Sequence, residues 1–555
     1  MANARLMRSF GLPLLTALTV PSLIGVAHAQ RALDRVAPTN SPAQIAPPDL
    51  PVNDPAAVIS SDATSGTATG AAPLLVGAVA IEGLVALTPA DFAPVIAPRI
   101  GSLLGPAELA ALASAIAAQA QARGYPFASA WIEPQRIANG VLRVRIDEGR
   151  IDEIRVQGGD HPAVRRALQP LANGAPARLQ DVERRLLIAG DIDGVRITAS
   201  RFVREGNRGI LLVSVTQDRV TARASLSNEG TKPLGPEQLR VDVDLNAIFA
   251  SDDSLTLTYS STLFEPRELQ FTRLRYAKRV NASGTEVAVV ASGSIARPGA
   301  YLDGYDLESR SWFAAVELLQ PLLRRRDSSL WLQAELGARD LVQYQRSVRV
   351  RDDHVRAARV SLYGYGTVGG GQLRVSTTLS QGFGVLGATR AGDPLASRRD
   401  ADGTFTALSN WAEWTKGLAG PLSLRLGVFS QVASQPLLIT EEAGLGGTAF
   451  LRGYDWSERT GDRGAAGMAE LRYLWKQPAG FIDRAQLYVF VDGGEVSNLQ
   501  GGFGGGSLAS AGGGLRADLR HQLGVNMEVG VPLTGPRYDT GDRTPKLNLR
   551  LVRSF

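Results

Sequence analysis

Lys546-Leu-Asn-Leu-Arg-Leu-Val-Arg-Ser-Phe555 is a strand written in alternation. Leu547, Leu549 and Leu551 fall on one face, Asn548 and Arg550 on the other, the period of two that extended backbone imposes. Phe555 ends the chain in register with the apolar row, as suits a last strand that must pair to close a barrel. The pattern recurs towards the N-terminus. Val525, Met527, Val529 and Val531 oppose Asn526 and Glu528; Ala469, Leu471, Tyr473 and Trp475 oppose Glu470 and Arg472. Leu422, Leu424, Leu426 and Val428 oppose Ser423, Arg425 and Gln431; Leu330, Leu332, Ala334 and Leu336 oppose Trp331, Gln333 and Glu335. Leu255, Leu257 and Tyr259 oppose Thr256, Thr258 and Ser260. Alternation alone fits a soluble sandwich or a membrane barrel, which differ in what meets the apolar face. The segment from 221 to 555 is large for one sandwich, and its polar rows carry full charges, as a wet lumen permits. These features point to a transmembrane β-barrel.

Composition narrows the remaining classes. The chain has 555 residues and no cysteine, which excludes a disulfide framework, a thiolate metal site and a cysteine nucleophile. Fifty-nine basic against 54 acidic side chains leave a formal +5, little support for a nucleic-acid partner. Past the first thirty residues no run approaches the ~20 apolar residues of a spanning helix. His28, His161, His354 and His521 are scattered, and neither a nucleophile elbow nor a phosphate-binding loop is present. No catalytic residue, metal or cofactor is expected. Asp400-Ala-Asp402-Gly403 reads as a solvated acidic turn, and Arg324-Arg325-Arg326 as interfacial or loop charge at a strand end.

The N-terminal part has three sections. Residues 1–29 carry Arg5 and Arg8, an apolar stretch and Ala27-His28-Ala29, the layout of a secretory signal peptide. Residues 30–73 are a Pro/Ser/Gly-rich linker, in which only Arg31 to Val36 could make a helical turn or two. From Leu74 the order is strand (74–81), helix opening at Thr88-Pro89, helix (104–123), and two strands (128–134 and 141–148) around Asn139-Gly140. The same β-α-α-β-β order repeats in 151–219, with helices at 162–171 and 179–189.

Phe127-Ala-Ser-Ala-Trp131-Ile-Glu-Pro134-Gln135 and Glu148-Gly149-Arg-Ile151-Asp-Glu-Ile154 resemble a polypeptide-transport-associated (POTRA) domain. Phe450-Leu451-Arg452-Gly453-Tyr454 resembles the tip of an inward-folding barrel loop, and Val489-Phe490-Val491-Asp492-Gly493-Gly494 the strand facing it. Gln381-Gly382-Phe383 with Gly387-Ala388 is a weaker match. In this order the motifs resemble two-partner secretion outer-membrane transporters (TpsB type), the ShlB/FhaC/HecB haemolysin secretion/activation family. The resemblance implies a mainly β protein: a sixteen-stranded transmembrane antiparallel barrel (220–555) preceded by two small α+β POTRA domains (74–150 and 151–219) in the periplasm. It implies export of a large unfolded exoprotein partner (TpsA type, haemolysin/haemagglutinin-like) across the outer membrane without ATP. The other partners it implies are outer-membrane lipid and, during biogenesis, the barrel assembly machinery. A plug helix ahead of the first POTRA domain, common in such transporters, would here be short or absent. The alternative is an outer-membrane assembly or insertion factor of the same superfamily, which usually bears more POTRA units.

One contact follows from the residues themselves. Leu487, Val489 and Val491 share the apolar parity, so Tyr488, Phe490 and Asp492 point inward. A lone carboxylate in a narrow lumen needs a partner. Arg452, in a segment made supple by Gly444, Gly446, Gly447 and Gly453, offers a planar fork of donors. Arg452 and Asp492 are expected to lock loop to barrel, supported by Leu451, Gly453, Tyr454, Phe490 and Gly493, with Phe555 closing the barrel. Strand addition to the edge of a small POTRA sheet, mainly the first, is expected to bind the client.

Overall fold

A computed structural model describes residues 59–61, 73–135, 139–520 and 522–555. The expected signal peptide, most of the linker with any plug, and His521 lie outside the described residues. Sixteen antiparallel strands, from Val220–Ser227 to Lys546–Ser554, form a closed barrel. The outward row is apolar and exposed: Val289 is 55%, Leu336 65% and Val489 60% accessible. The inward row is polar and buried, with Glu470 and Asp492 among its charged members. This inversion of the soluble pattern is what a lipid solvent selects. Among the described residues no helix is long and apolar enough to cross a membrane.

The seam that closes the barrel joins its first and last strands over five register pairs, Arg223–Ser227 with Arg550–Ser554. Two further devices lengthen it. At the periplasmic end, the Phe555 N–H donates to the Ala222 carbonyl at 2.8 Å. At the other end Asn228 acts as a strand residue: its Nδ2 donates to the Leu547 carbonyl (3.0 Å), and its Oδ1 accepts from the Leu549 N–H (2.6 Å). No edge is left open to lipid along this stretch.

Two α+β units precede the barrel. In the first, Val141–Asp147 lies between Ala78–Glu82 (parallel) and Ser129–Trp131 (antiparallel). Helix Pro106–Ala122 covers the sheet with Leu109, Leu112, Ile116 and Ala120, all buried. Two expectations need correction. The single strand 74–81 is split into Leu74–Leu75 and Ala78–Glu82. The helix opening at Thr88 is three short turns, Pro89–Phe92, Ala93–Ile96 and Ala97–Arg99, because Pro94 and Pro98 remove the N–H groups a longer helix needs. Buried Glu148 accepts N–H bonds from Val85, Ala86 and Leu87 at 2.7–3.1 Å, which fixes the chain leading into those turns.

The second unit has helices Pro162–Leu168 and Leu179–Gly190 over a sheet of Glu153–Gln157, Arg208–Gln217 and Val195–Glu205. The linker is not wholly outside the fold: Ile59–Ser61 adds in parallel to this sheet's edge at Ser200–Phe202. The two units are joined tightly. Phe127 of the first stacks on Phe202 of the second (centroids 4.2 Å apart, planes 11° apart), and Arg204 pairs with Asp147.

The second unit is bolted to the periplasmic turns of the barrel. Asp191 takes both arms of the Arg324 guanidinium at 2.7 and 2.8 Å, both side chains buried. Arg324 is therefore a docking residue and not free loop charge. Arg166 pairs with Asp252, Arg185 donates to the Ala282 carbonyl (2.7 Å), and Ser254 donates to Asp193 (2.5 Å). Burial in this junction, opposed by nearby Arg279, pushes the Asp193 carboxyl above its usual range.

Candidate functional site: a loop locked inside the barrel

Between strands Leu422–Ala433 and Arg463–Ala479 the chain runs inward as a long loop, 434–462. A small ladder, Ala443–Leu445 against Arg459–Gly461, forms its neck. Beyond the neck the chain passes through Gly446 and Gly447, both at positive φ, and reaches a tip of Phe450, Leu451, Arg452, Gly453 and Tyr454. Leu451 is fully buried at φ +60°, and its carbonyl accepts the Tyr454 N–H at 2.9 Å, closing a tight turn. That conformation is unfavourable for a branched residue and persists only because the surroundings hold it.

Those surroundings are four consecutive barrel strands, from Arg463–Ala479 to Leu523–Pro532. The Asp492 Oδ2 accepts from both the Arg452 backbone N–H and Nε, each at 3.2 Å. Arg452 Nη1 donates to Glu470 (2.6 Å) and Glu528 (3.2 Å). The guanidinium carbon lies 3.4 Å from the centroid of the Phe490 ring. All four charged side chains are at most 5% exposed. The expected pair is thus one cation among three carboxylates. Glu470 is further served by Arg472 (2.6 Å) and Arg516 (2.8 Å), so the cluster is not left with uncompensated negative charge.

Gly453 meets the wall face to face. Its N–H donates to Ser510 Oγ (3.1 Å), and Ser510 donates in turn to Asp492. A Cβ on Gly453 would come within 2.9 Å of the Ser510 Cβ and the Val531 carbonyl carbon; one on Gly530 would come within 2.6 Å of the Arg452 carbonyl oxygen. Only glycine on both sides permits this approach. Tyr454 is fully buried, and its hydroxyl lies 2.9 Å from Thr534 Oγ1. Asp455 pairs with Arg537 (2.9 Å) and Lys546 (3.0 Å).

The neck is held separately. Arg398, in loop 383–405, donates to Glu442 (2.9 Å) and Asp462 (2.8 Å) at the two feet of the inward loop, and to the Leu499 carbonyl (3.0 Å) in the neighbouring loop. It also takes both oxygens of Asp400, so the acidic turn is part of this clamp and not simply solvated. Burial works against the Asp400 charge, but Arg398 prevails and holds its carboxyl below the usual range.

Of the residues singled out from sequence, Leu451, Arg452, Gly453, Tyr454, Phe490 and Asp492 come together at the tip. Gly493 does not: it shares the outward parity of Val491, and its nearest neighbour in the Cβ direction is the Leu508 carbonyl oxygen at 3.7 Å. Phe555 lies at the seam, 67% exposed, beneath Arg553. Glu470, Glu528, Ser510 and Arg398 were not foreseen as members of the site.

The fold and this loop have known counterparts. Residues 206–517 match the family described as haemolysin secretion/activation protein ShlB/FhaC/HecB, and residues 74–149 match the ShlB-type POTRA domain. The chain belongs to the ShlB/FhaC/HecB family. It is an outer-membrane β-barrel transporter of the two-partner secretion type, a transporter family and not an enzyme family. The heme/hemopexin transporter protein HuxB of Haemophilus influenzae is 22% identical over 493 residues, 84% of either chain. Among solved structures, CdiB from Escherichia coli superposes with a TM-score of 0.68 at 19% identity, covering 96% of both chains. BamA from Haemophilus ducreyi lacking POTRA domains 1–3 gives 0.52 at 14% identity, covering 86% of this chain and all of that one. Each of these two likenesses is one of fold.

Proposed function

We propose that the protein exports a large, unfolded exoprotein, haemolysin- or haemagglutinin-like, with the α+β units capturing the client and the barrel conducting it. Arg452 and its carboxylates hold the inward loop in its working position. The observation that carries this reading is the charged lumen with an inward loop fastened at both tip and neck. The units of 74–150 and 151–219 act as POTRA domains, and the first does most of the capture. Its sheet has two edge strands, Ala78–Glu82 and Ser129–Trp131, with no further strand beside them among the described residues. In the second unit one edge is already covered by Ile59–Ser61. Backbone edges pair with an extended client whatever its sequence, as an unfolded passenger requires.

The test is site-specific photocrosslinking in the full-length transporter, co-expressed with its partner exoprotein. Probes in Ala78–Glu82 and Ser129–Trp131 are expected to trap the partner's N-terminal segment. Adducts absent there while export continues would assign the units to spacing alone. The rival reading, insertion of barrels into the membrane, finds support only in the BamA likeness.

A further inference from the structure

The outer face of the barrel carries a groove of about 530 Å³ that the export reading does not use. Its lining includes Gln270, Thr272, Gly293, Arg310, Trp312 and Tyr344, drawn from four adjacent strands and all of outward parity. Gly293 is the floor. In its Cβ direction the nearest atom is the Ser311 carbonyl oxygen at 3.9 Å, so the absent side chain leaves open space between Thr272 and Trp312, its partners on either side.

Height decides what can fill it. The turn below Glu286 faces the second α+β unit, where Arg185 meets Ala282, so that end is periplasmic. Strands rise about 3.4 Å per residue and tilt about 40°, so each residue climbs roughly 2.5 Å. Gly293 then lies about 18 Å above Glu286, in the outer half of an apolar band about 25 Å tall. Below it the outward row is apolar through Leu274, Val289, Val316 and Leu336, all exposed, until Lys278 and Gln320 at the periplasmic border. Above it the row becomes charged. Arg297 (2.8 Å) and Arg310 share one carboxylate, Glu308, and both guanidinium-bearing side chains remain more than half exposed. Asp340, which also borders the groove, is neutralised by Arg356 (2.6 Å). Arg310 lies 5.4 Å over the Tyr344 ring, and Trp312 is 45% exposed.

We infer that this groove binds an outer-leaflet glycolipid through a phosphate on its sugar headgroup. An apolar strip, Trp312 level with the floor, and above it an Arg-rich rim with Tyr344 beside it match acyl chain, sugar and phosphate. Two cations on one anion leave a positive charge for the phosphate, and guanidinium suits it geometrically. The inference rests on the barrel's place in the outer membrane and not on its cargo.

The test is native mass spectrometry of the full-length protein purified from outer membranes, with heat-modifiable gel mobility reporting barrel folding. The wild type is expected to retain one phosphorylated glycolipid. The Arg297→Ala/Arg310→Ala double variant, which alters only exposed side chains, should lose it by about tenfold or more. Gly293→Trp, which fills the floor, should lose it as well; should that variant misfold, the arginine pair carries the test. The dephosphorylated glycolipid should fail to rebind. Equal retention by wild type and the arginine variant overturns the inference, as does displacement of the lipid by inorganic phosphate alone.

Discussion

At the residue scale, Arg452 is held by opposing demands. Three buried carboxylates need it, and it sits at the tip of a loop that has to move if a polypeptide is to pass. Removing one partner of a buried ionic cluster costs about 3–5 kcal/mol, because the remaining charges stay desolvated and unmatched. Arg452→Ala is therefore expected to free the tip, read as new protease cleavage within 446–458 in reconstituted vesicles. Arg452→Lys should restore little, since an ammonium cannot bridge Asp492, Glu470 and Glu528 from one plane. Exchanging Arg452 and Asp492 should not rescue export. The new aspartate would face Glu470 and Glu528 still in place, so rescue would mean that Asp492 is the only partner that matters. Arg452 and Asp492 were legible because strand parity turns Asp492 inward and glycines let the loop follow it. Glu470 and Glu528 were legible only as inward charges. Alternation gives the face of a residue and not its height in the barrel; height depends on the stagger between strands, set by turn lengths that vary along the chain.

At the element scale, the inward loop is fastened twice, by Arg452 at the tip and by Arg398 at the neck. The neck clamp binds three separate loop segments through one side chain, so Arg398→Ala should loosen the outer mouth while leaving the tip contacts intact. The expected readout is a raised closed-state conductance in planar bilayers with unchanged heat-modifiable mobility; unchanged conductance would make Arg398 mere loop packing. Its pH dependence has a definite sign. Asp400 has a lowered value in the fold, so its contribution is fully present above the ordinary aspartate value near 4 and is lost only as pH falls further. The added conductance should therefore appear in the wild type below about pH 4 and not between 5 and 7. The amphipathic helix Pro106–Ala122 is readable from its Leu109, Leu112 and Ile116 stripe, whereas the helix expected to open at Thr88-Pro89 breaks into short turns, because an N-cap signal marks a start and says nothing of Pro94 and Pro98 beyond it. The Arg398 clamp was invisible, since nothing in a loop's local sequence states which distant carboxylates it will meet.

At the scale of the whole molecule, the two α+β units and the barrel are bolted together end to end: Phe127 on Phe202, then Asp191 on Arg324. On the proposed reading, a client captured at the first unit would be delivered at a fixed position relative to the bore. The Asp191–Arg324 contact is a bidentate pair of opposite charges, with Arg324 also donating to Ser329 and Tyr365, so charge exchange is informative here. Asp191→Arg or Arg324→Asp alone should undock the second unit, read as an increased spread of spin-label distances between it and the barrel, and the double exchange should narrow that spread again. The barrel itself was readable because lipid outside and water inside reverse the usual burial of alternating strands over a third of a thousand residues. The docking of Arg324 was not, because a basic run at a strand end looks the same whether it faces solvent or a neighbouring domain. The most direct test of the account asks where the passenger travels. Photocrosslinkers are placed at lumen-facing Arg273, at lipid-facing Val289, and on either side of the seam at Ser225 and Val552, with a partner exoprotein stalled in transit. The account predicts adducts from Arg273 and none from Val289 or the seam; adducts confined to the seam, with the lumen silent, would contradict it.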